Sequence, residues 1–333
     1  MKFRELYMNG EATFEDIFDE TNTWNFSDES CTLREYLGLT AEEEDVWISE
    51  SDEALEELLE KEKATKILFL DMDGTLFNDQ KEFTKGNRIA IANALKNGHK
   101  VVITTGRPLG NVITLAKDLG LDGKGCYVIA YNGGEIYDPY HKKMIYEKTL
   151  PLEHVQYLFD LSSKSNLHCH TYDETGNVIT KANSPALKHY LERTGLTAKI
   201  VPDIRTALSS EPVKVLIIEL EDDTKLIKFR EETAAWAKDK VDRMFSCAEY
   251  LEHVAPGISK GNALKILCDY LALPLSNTIS IGDAENDMTM IEAAALGVAM
   301  SNGTAELKKI ANYITVADNN HDGVAEVIEK FMR

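Results

Sequence analysis

The stretch KILFLDMDGTL, residues 66–76, decides the fold of this chain. Its apolar run is short and unbroken, and it ends in two aspartates, Asp71 and Asp73. Such a run is typical of a strand that is buried on both faces, as in a parallel sheet covered by helices. In open α/β sheets the ligand crevice lies outside the carboxyl ends of the strands. The sequence therefore predicts that both aspartates lie at a ligand site.

Asp71 and Asp73 lie one residue apart, and two like charges at close range destabilise each other. A bound divalent cation removes this conflict, and Mg²⁺ favours a few carboxylates together with substrate phosphate. The structural alternative is an Asp-Gly turn whose acids cap the loop, and the pattern alone leaves both interpretations open. A calcium-binding EF-hand loop is excluded, because that loop has acids at positions 1, 3 and 5 before its glycine, whereas Gly74 already occupies position 4.

The length of 333 residues is sufficient for two or three domains. The formal net charge is −20, and residues 1–64 carry most of it, with 20 of the 56 acidic residues and 5 of the 36 Lys and Arg residues. The remainder of the chain is close to charge balance. A protein that binds a phosphate backbone would show a basic stripe, which this sequence lacks, so we expect no nucleic-acid partner.

The five cysteines are odd in number and include no C-x-x-C pair. This pattern favours reduced thiols in the cytosol over a disulfide framework. No apolar run approaches the roughly 18 residues of a membrane-spanning helix, and residues 1–10 contain no apolar signal-peptide core. We therefore expect a soluble, cytoplasmic protein without a membrane partner.

Residues 1–64 predict a separate, acidic, helical extension. Thr40 and Glu43 fit a capping box that begins one of its helices. Short helices with few apolar residues are marginally stable alone, so the extension is expected to dock on its own chain or on a protein partner, with disorder as the third possibility. Its apolar residues Leu33, Leu37 and Trp47 are expected to face either the core domain or another protein.

From residue 66 onward, strands and helices alternate, which is typical of a right-handed, mostly parallel sheet. An insert interrupts this alternation, with predicted helices at 154–163 and 224–237 and strands near 167–172, 178–181, 213–219 and 243–246. The predicted fold class is α/β, a doubly wound, mostly parallel Rossmann-like sheet with an inserted α+β cap domain and a small helical N-terminal extension. The predicted boundaries are 1–64 for the extension, 65–150 and 254–333 for the two halves of the catalytic core, and 151–253 for the cap.

The second half of the core supplies further polar residues at strand ends. Asp283, Asn286 and Asp287 follow a buried strand at 278–281. If that strand neighbours the first one, Asp283 arrives beside Asp71, and converging carboxylates call for a cation. Lys260 stands at a predicted helix start, where free backbone N–H groups favour anions.

Thr105 and Gly106 end another predicted strand, where a hydroxyl and an open backbone suit phosphate oxygens. Taken singly, this pair and Lys260 are equally compatible with ordinary turn and cap chemistry. The four signals stand in one order along the chain, D-x-D-G-T at 71–75, T-G-R at 105–107, Lys260, and G-D-x-x-N-D at 282–287.

In this order the signals resemble the motifs of the haloacid dehalogenase superfamily, and the large insert resembles the cap of its Cof-like subfamily. Further matches are N-G-G at 132–134, A-M-S-N at 299–302 and D-G-V-A at 322–325. The resemblance covers about residues 66–333 and leaves the N-terminal extension outside it.

The resemblance implies a Mg²⁺-dependent phosphatase that hydrolyses a small phosphomonoester, such as a sugar phosphate or a phosphorylated cofactor. It implies that Asp71 is the nucleophile that forms an aspartyl phosphate, and that Asp73 is the general acid and base. The implied metal ligands are Asp71, the backbone carbonyl of Asp73, Asp283 and, as a support, Asp287. The implied phosphate-binding residues are Thr105, Gly106, Lys260 and Asn286, with Asn132 and Asn302 at the pocket rim.

Two alternatives to this function stay open. A phosphomutase would use the same aspartyl phosphate, and a regulatory protein would bind a partner through the acidic extension. Two smaller features also have two interpretations each. His168 and His170 fit either two ligands of a structural zinc or a pair without a ligand, at the surface or in the core of the cap. Arg107 fits a salt bridge at the sheet end better than a substrate ligand.

Overall fold

The apolar stretch at 67–70 forms a fully buried strand near the middle of a large sheet. The computed structural model describes residues 1–222 and 224–332. Its strands are β1 Ile67–Leu70, β2 Lys100–Thr104, β3 Cys126–Ala130, β4 Glu135–Asp138, β5 Lys143–Glu147, β6 His168–Tyr172, β7 Val178–Thr180, β8 Ala198–Ile200, β9 Lys214–Ile218, β10 Asp242–Cys247, β11 Tyr250–Val254, β12 Thr278–Gly282, β13 Leu296–Ala299 and β14 Tyr313–Ile314.

The α-helices of the described residues pack on both sheets and form the N-terminal extension. They are α1 Phe3–Met8, α2 Asp16–Asn25, α3 Leu33–Leu37, α4 Ala41–Ser49, α5 Asp52–Ala64, α6 Lys85–Lys96, α7 Leu109–Leu119, α8 Leu152–Lys164, α9 Pro185–Thr194, α10 Ile204–Ala207, α11 Thr224–Glu232, α12 Ala234–Ala237, α13 Lys260–Tyr270, α14 Met288–Ala293, α15 Ala305–Ile310 and α16 Gly323–Phe331. None of these helices has the length and apolar character needed to cross a membrane.

The eight-stranded sheet has the order β14–β13–β12–β1–β2–β3–β4–β5. Strands β14 to β3 are parallel, and β4 and β5 extend the sheet as antiparallel strands. The chain leaves β1 toward β2 on one side and later returns to β12 on the other, so the strand order reverses between β1 and β12. Open α/β sheets hold their ligands at such a switch point.

A second sheet of six strands is inserted between β5 and β12 of the chain. Its order is β10–β11–β9–β6–β7–β8, and it is antiparallel apart from the β7–β8 pair. One apolar face packs against α8 and α11 through residues such as Leu158, Val215 and Phe229. The predicted fold class, a doubly wound mostly parallel sheet with an α+β insert, is confirmed.

Helix α9 and strand β11 of the insert were missed by the sequence analysis. Strand β11 reads YLEHV, and its residues Glu252 and His253 are buried although they are polar. Two polar residues in a row remove the apolar run that marks a buried strand. Helix α9 begins with Ser184 as N-cap and Pro185 in the first turn, which is a recognisable start signal.

The N-terminal extension folds into five helices around its own apolar cluster. Leu37 is fully buried in that cluster, and Leu33 and Trp47 pack against it. The expectation that these three residues face the core domain or another protein is therefore wrong. The capping box is present, since Thr40 and Glu43 each bond to the other's backbone N–H.

Arg4 links the extension to the catalytic core. Its Nε donates to Glu43 (2.6 Å) and its Nη2 donates to Glu62 (2.6 Å), both within the extension. Its Nη1 donates to the backbone carbonyl of Ala272 in the core (2.5 Å). The Arg4 residue is only 7% exposed, so its loss would leave Glu43 buried with an unpaired charge.

We predict that Arg4→Met destabilises the protein by about 3–5 kcal/mol, the usual effect of removing one partner of a buried ion pair. The matched control is Arg34→Met, which removes a half-exposed ion pair with Glu44 in the same extension and should change stability by less than about 1 kcal/mol. Urea unfolding gives the free energies, and equal effects of the two substitutions would contradict the role assigned to Arg4.

Candidate active site

Two polar stretches meet at the switch point between β1 and β12. The strands pair in parallel with Leu70 opposite Ile281, and the backbone N–H of Asp71 donates to the carbonyl of Ile281 (3.0 Å). Asp71 and Asp283 therefore leave adjacent strand ends. Carboxylate oxygens of Asp71, Asp283 and Asp287 lie within 4.8 Å of one another, so the chain brings three acids from two distant motifs into one cluster.

The turn after β1 fits closely against the second motif. Gly74 has a φ of +87°, and a Cβ at this position would overlap the carboxylate of Asp283. Glycine is thus required here both for its left-handed backbone and for the close approach. The hydroxyl of Thr75 donates to Asp283 (3.0 Å), which fixes the orientation of that carboxylate.

Asp287 organises the turn after β12 and reaches the buried lysine. One of its oxygens accepts the backbone N–H groups of Asp283 (2.9 Å) and Ala284 (3.0 Å). Its other oxygen accepts a hydrogen bond from Lys260 (2.6 Å), which also donates to Asp71 (2.5 Å). Lys260 is fully buried at the first position of α13, so its ammonium group connects the two motifs.

The electrostatics of this cluster leave surplus negative charge. Burial, followed by the charge of Asp287, raises the pKa of Asp71 well above its ordinary value and raises the pKa of Asp283 to about 7. Burial lowers the pKa of Lys260, but the charges of Asp287 and Asp71 outweigh burial and hold this pKa above its ordinary value. One ammonium thus faces three carboxylates. An excess of carboxylate oxygens around one point fits a divalent cation such as Mg²⁺.

A cavity of about 190 Å³ adjoins this cluster and is lined by both domains. The predicted site residues that line it are Asp71, Asp73, Thr105, Gly106 and Asn286. Lys260 lies behind Asp71 and touches the cavity through that carboxylate. The strand ends of β1, β2 and β12 therefore bring five of the ten predicted site residues to one wall.

Asn132 and Asn302, which were expected at the pocket rim, do not belong to the described residues that line the cavity. The fully buried side chain of Asn132 donates to Glu252 (2.6 Å) and accepts from Asn286 (3.1 Å). The side chain of Asn302 donates to the carbonyl of Gly74 (2.8 Å). Both asparagines hold lining residues and turns in place.

Arg107 makes a salt bridge at the end of the sheet, and its partner is Asp73. Its Nη2 donates to one oxygen of Asp73 (2.6 Å) and its Nε donates to the other (3.0 Å). This two-point contact fixes the plane of the carboxylate as well as its position. Both residues line the cavity, so Arg107 is part of the site.

The cap contributes a buried ion pair that the sequence analysis missed. Lys214 and Glu252 lie 3.1 Å apart on neighbouring strands and are 2% and 3% exposed. Lys214 also donates to the backbone carbonyl of Gly106 (2.6 Å), and Glu252 accepts from Asn132 (2.6 Å). The pair therefore connects the cap to Gly106, which was expected to bind phosphate, and to Asn132, which was expected at the pocket rim. The sequence offered one sign of this ion pair, the single lysine Lys214 directly before the apolar run VLII at 215–218.

The two histidines of β6 form a hydrogen-bonded chain inside the cap. His168 contacts His170 (3.1 Å), His170 contacts Tyr172 (3.1 Å), and the hydroxyl of Tyr172 contacts that of Tyr190 (2.5 Å). Burial lowers the pKa of His168 to about 4 and holds the pKa of His170 well below its ordinary value, which favours neutral imidazoles. Among the acids, histidines and cysteines of the described residues, one group is close enough together to hold a metal, and it consists of Asp71, Asp283 and Asp287. Neither histidine belongs to this group. The buried-pair interpretation therefore describes the cap.

Comparison with known proteins identifies similar sequences over most of the chain. The family model for haloacid dehalogenase-like hydrolases matches residues 68–328. The chain is 36% identical over 273 residues to a provisionally named phosphatase of Streptococcus pyogenes serotype M6, covering 80% of this chain and 98% of the relative. It is 30% identical over 275 residues to the 5-amino-6-(5-phospho-D-ribitylamino)uracil phosphatase YitU of Bacillus subtilis. This match covers 80% of this chain and 97% of YitU.

A solved structure shows the same architecture. A haloacid dehalogenase-like hydrolase from Bacteroides thetaiotaomicron superimposes with a TM-score of 0.73 at 34% identity, covering 80% of this chain and 99% of that one. The matched share leaves about a fifth of this chain without a counterpart, which corresponds in size to the N-terminal extension.

We predict that Lys214→Met destabilises the protein by about 3–5 kcal/mol, because Glu252 then stays buried without its cation. The double variant Lys214→Met/Glu252→Gln should regain part of this loss, since the uncompensated charge is gone. The control is Lys188→Met, which removes an exposed cap lysine beside the exposed Glu192 (3.8 Å) and should cost less than about 1 kcal/mol. Urea unfolding measures all three, and a double variant less stable than Lys214→Met would argue against this view of the pair.

Proposed function

Since the chain belongs to the haloacid dehalogenase-like hydrolases and is a phosphatase, we propose that it hydrolyses a small phosphomonoester in a Mg²⁺-dependent reaction through an aspartyl phosphate. The observation that carries the proposal is the convergence of Asp71, Asp283, Asp287 and Lys260 at the switch point beside a cavity. A buried cluster with excess carboxylate charge destabilises the empty site and favours a bound cation and its phosphorylated ligand.

Asp71 is the proposed nucleophile. Its carboxylate would attack phosphorus, the bond between phosphorus and the leaving oxygen would break, and Asp73 would supply the proton that the leaving oxygen needs. Asp73 would then take a proton from a water molecule that attacks the aspartyl phosphate, which releases orthophosphate and restores Asp71. Support comes from the position of both residues on the cavity wall and from the contact of Arg107 that orients Asp73.

The attack of a carboxylate on a phosphate dianion is electrostatically unfavourable, and the site has means to offset it. The carboxylates of Asp71 and Asp283 and the backbone carbonyl of Asp73 would hold Mg²⁺, with Asp287 as a support, and the ion would supply positive charge that offsets this repulsion. Lys260 adds a fixed ammonium at Asp71. Thr105, Gly106 and Asn286 line the same wall and are proposed to bind the phosphoryl oxygens.

The substrate class is a small phosphomonoester, such as a sugar phosphate or a phosphorylated cofactor. Two observations support it, the modest cavity of about 190 Å³ and the relative YitU, whose name gives a substrate with one phospho group. A cytoplasmic location follows from the cysteine pattern and stays a prediction. A protein partner for residues 1–64 also stays a prediction, and Arg4 ties this extension to its own core.

We predict Mg²⁺-dependent release of orthophosphate from a panel of phosphomonoesters, with release lost in chelator and restored by added Mg²⁺. Asp71→Asn should lower kcat by at least about a thousandfold, because an amide cannot form the acyl phosphate. The control is Asp118→Asn, an exposed aspartate on α7, which should keep wild-type turnover. Thermal melting of both variants checks that they are folded.

Three results would contradict parts of this function. Near-wild-type turnover by Asp71→Asn would remove Asp71 from the nucleophile's role. Conversion of a phosphosugar into its isomer without free orthophosphate would indicate a phosphomutase. Turnover that is unaffected by chelator would show that the reaction does not depend on Mg²⁺, but the protein would still be a phosphatase.

A further inference from the structure

Within the described residues, two cations on the cavity wall have no carboxylate within 4.0 Å. Arg193 lies on α9 of the cap, and Lys81 lies in the loop that follows β1 of the core. Both side chains are exposed, so they lie toward the solvent side of a cavity whose inner end is the buried Asp71. The other cations of this region are each paired, as Arg107–Asp73, Lys214–Glu252 and Lys260–Asp71.

A shortage of acids does not explain this imbalance, since the chain carries a net charge of −20. Acidic residues adjoin both cations in the sequence, but they make other contacts. Glu192 lies beside Lys188 (3.8 Å) and Glu82 accepts from Asn78 (3.4 Å). The positive charge of Arg193 helps to lower the pKa of Glu249. Even so, no carboxylate in the described part of the chain lies within 4.0 Å of either cation.

The segments that carry the two cations also contact each other. The ammonium group of Lys81 donates to the backbone carbonyl of Arg193 (3.0 Å). Lys81 has a φ of +60° in a tight turn in which its N–H donates to the carbonyl of Asn78 (2.9 Å). The guanidinium of Arg193 lies 5.4 Å from the ring centre of Tyr250, another lining residue. Cations from two contacting segments therefore line the same cavity, and the left-handed backbone of Lys81 is uncommon for a lysine.

We propose that the substrate carries a second anionic group, a carboxylate or a second phosphate, and that Arg193 and Lys81 bind it while the phosphoryl group lies at Asp71. This inference rests on the proposed function and narrows its substrate class to phosphorylated acids and bisphosphates. Lys81 belongs to the core and Arg193 to the cap, so the bound anion contacts both domains and favours their closed arrangement.

The test compares kcat/KM within two matched substrate pairs. For a carboxylate the pair is 6-phosphogluconate and sorbitol 6-phosphate, which differ only in a carboxylate in place of a hydroxymethyl group. For a second phosphate the pair is fructose 1,6-bisphosphate and fructose 6-phosphate. The wild type should prefer the more anionic member of at least one pair by about tenfold or more, as charge-assisted contacts allow, and that pair identifies the anion.

Arg193→Gln and Lys81→Gln should each lower this preference by about fivefold or more. The matched control is Lys188→Gln, which removes a cation from the same helix, outside the cavity lining, and should keep the wild-type preference. A wild-type ratio near 1 in both pairs would overturn the inference while leaving the phosphatase intact. A preference that persists in both cavity variants would also overturn it.

Failure of the proposed function would be distinguishable. If no compound releases phosphate, calorimetry of the wild-type protein with the same four compounds decides the anion site alone. Tighter binding of the more anionic member, lost in Arg193→Gln, would support the second anion site. Equal binding of both members in each pair would reject it.

Discussion

The repulsion among three carboxylates at the switch point is the constraint on which the site depends. Asp71, Asp283 and Asp287 come from two motifs more than two hundred residues apart, and parallel pairing of β1 with β12 brings them together. A single buried ammonium, that of Lys260, opposes them. The close approach of Gly74, the hydroxyl of Thr75 and the backbone N–H groups that bind Asp287 hold the acids against this repulsion. A site of this kind favours ligands that bring positive charge, and stored electrostatic strain of this sort is common where catalysis takes place.

The cap and the core divide the work at the cavity. The core supplies, at its strand ends, the groups proposed for phosphoryl chemistry, whereas side chains of the cap line the other wall. Lys214 and Glu252 contact Gly106 and Asn132 across the boundary, so the position of the cap is coupled to the segments proposed to bind phosphate. Because both charges are almost fully buried, an open cap would expose them to water and change their partners.

The core could be predicted from the sequence because its signals are local. An apolar strand followed by Asp71 and a second one followed by Asp283 define the sheet and its active edge by general rules of α/β folds. The cap could not be predicted as well. Glu252 lies in a strand whose polar residues give no sign in the sequence that the strand is buried. The pairing of Lys214 with Glu252 depends on the order of the strands in the sheet, which the sequence pattern does not determine. The absence of an ion pair at Arg193 likewise depends on three-dimensional packing. The domain boundaries at 64, 150 and 253 stay predictions.

The central claim is that Asp71 becomes phosphorylated during turnover, and chemical trapping tests it most directly. The protein is mixed with a substrate that it hydrolyses, quenched within the first turnover, and treated with borohydride, which reduces an acyl phosphate to an alcohol. The account predicts that mass spectrometry of the digested protein finds homoserine at residue 71, only when substrate and Mg²⁺ are present. Orthophosphate release with an unmodified Asp71 under the same quench, or modification at another carboxylate, would contradict it.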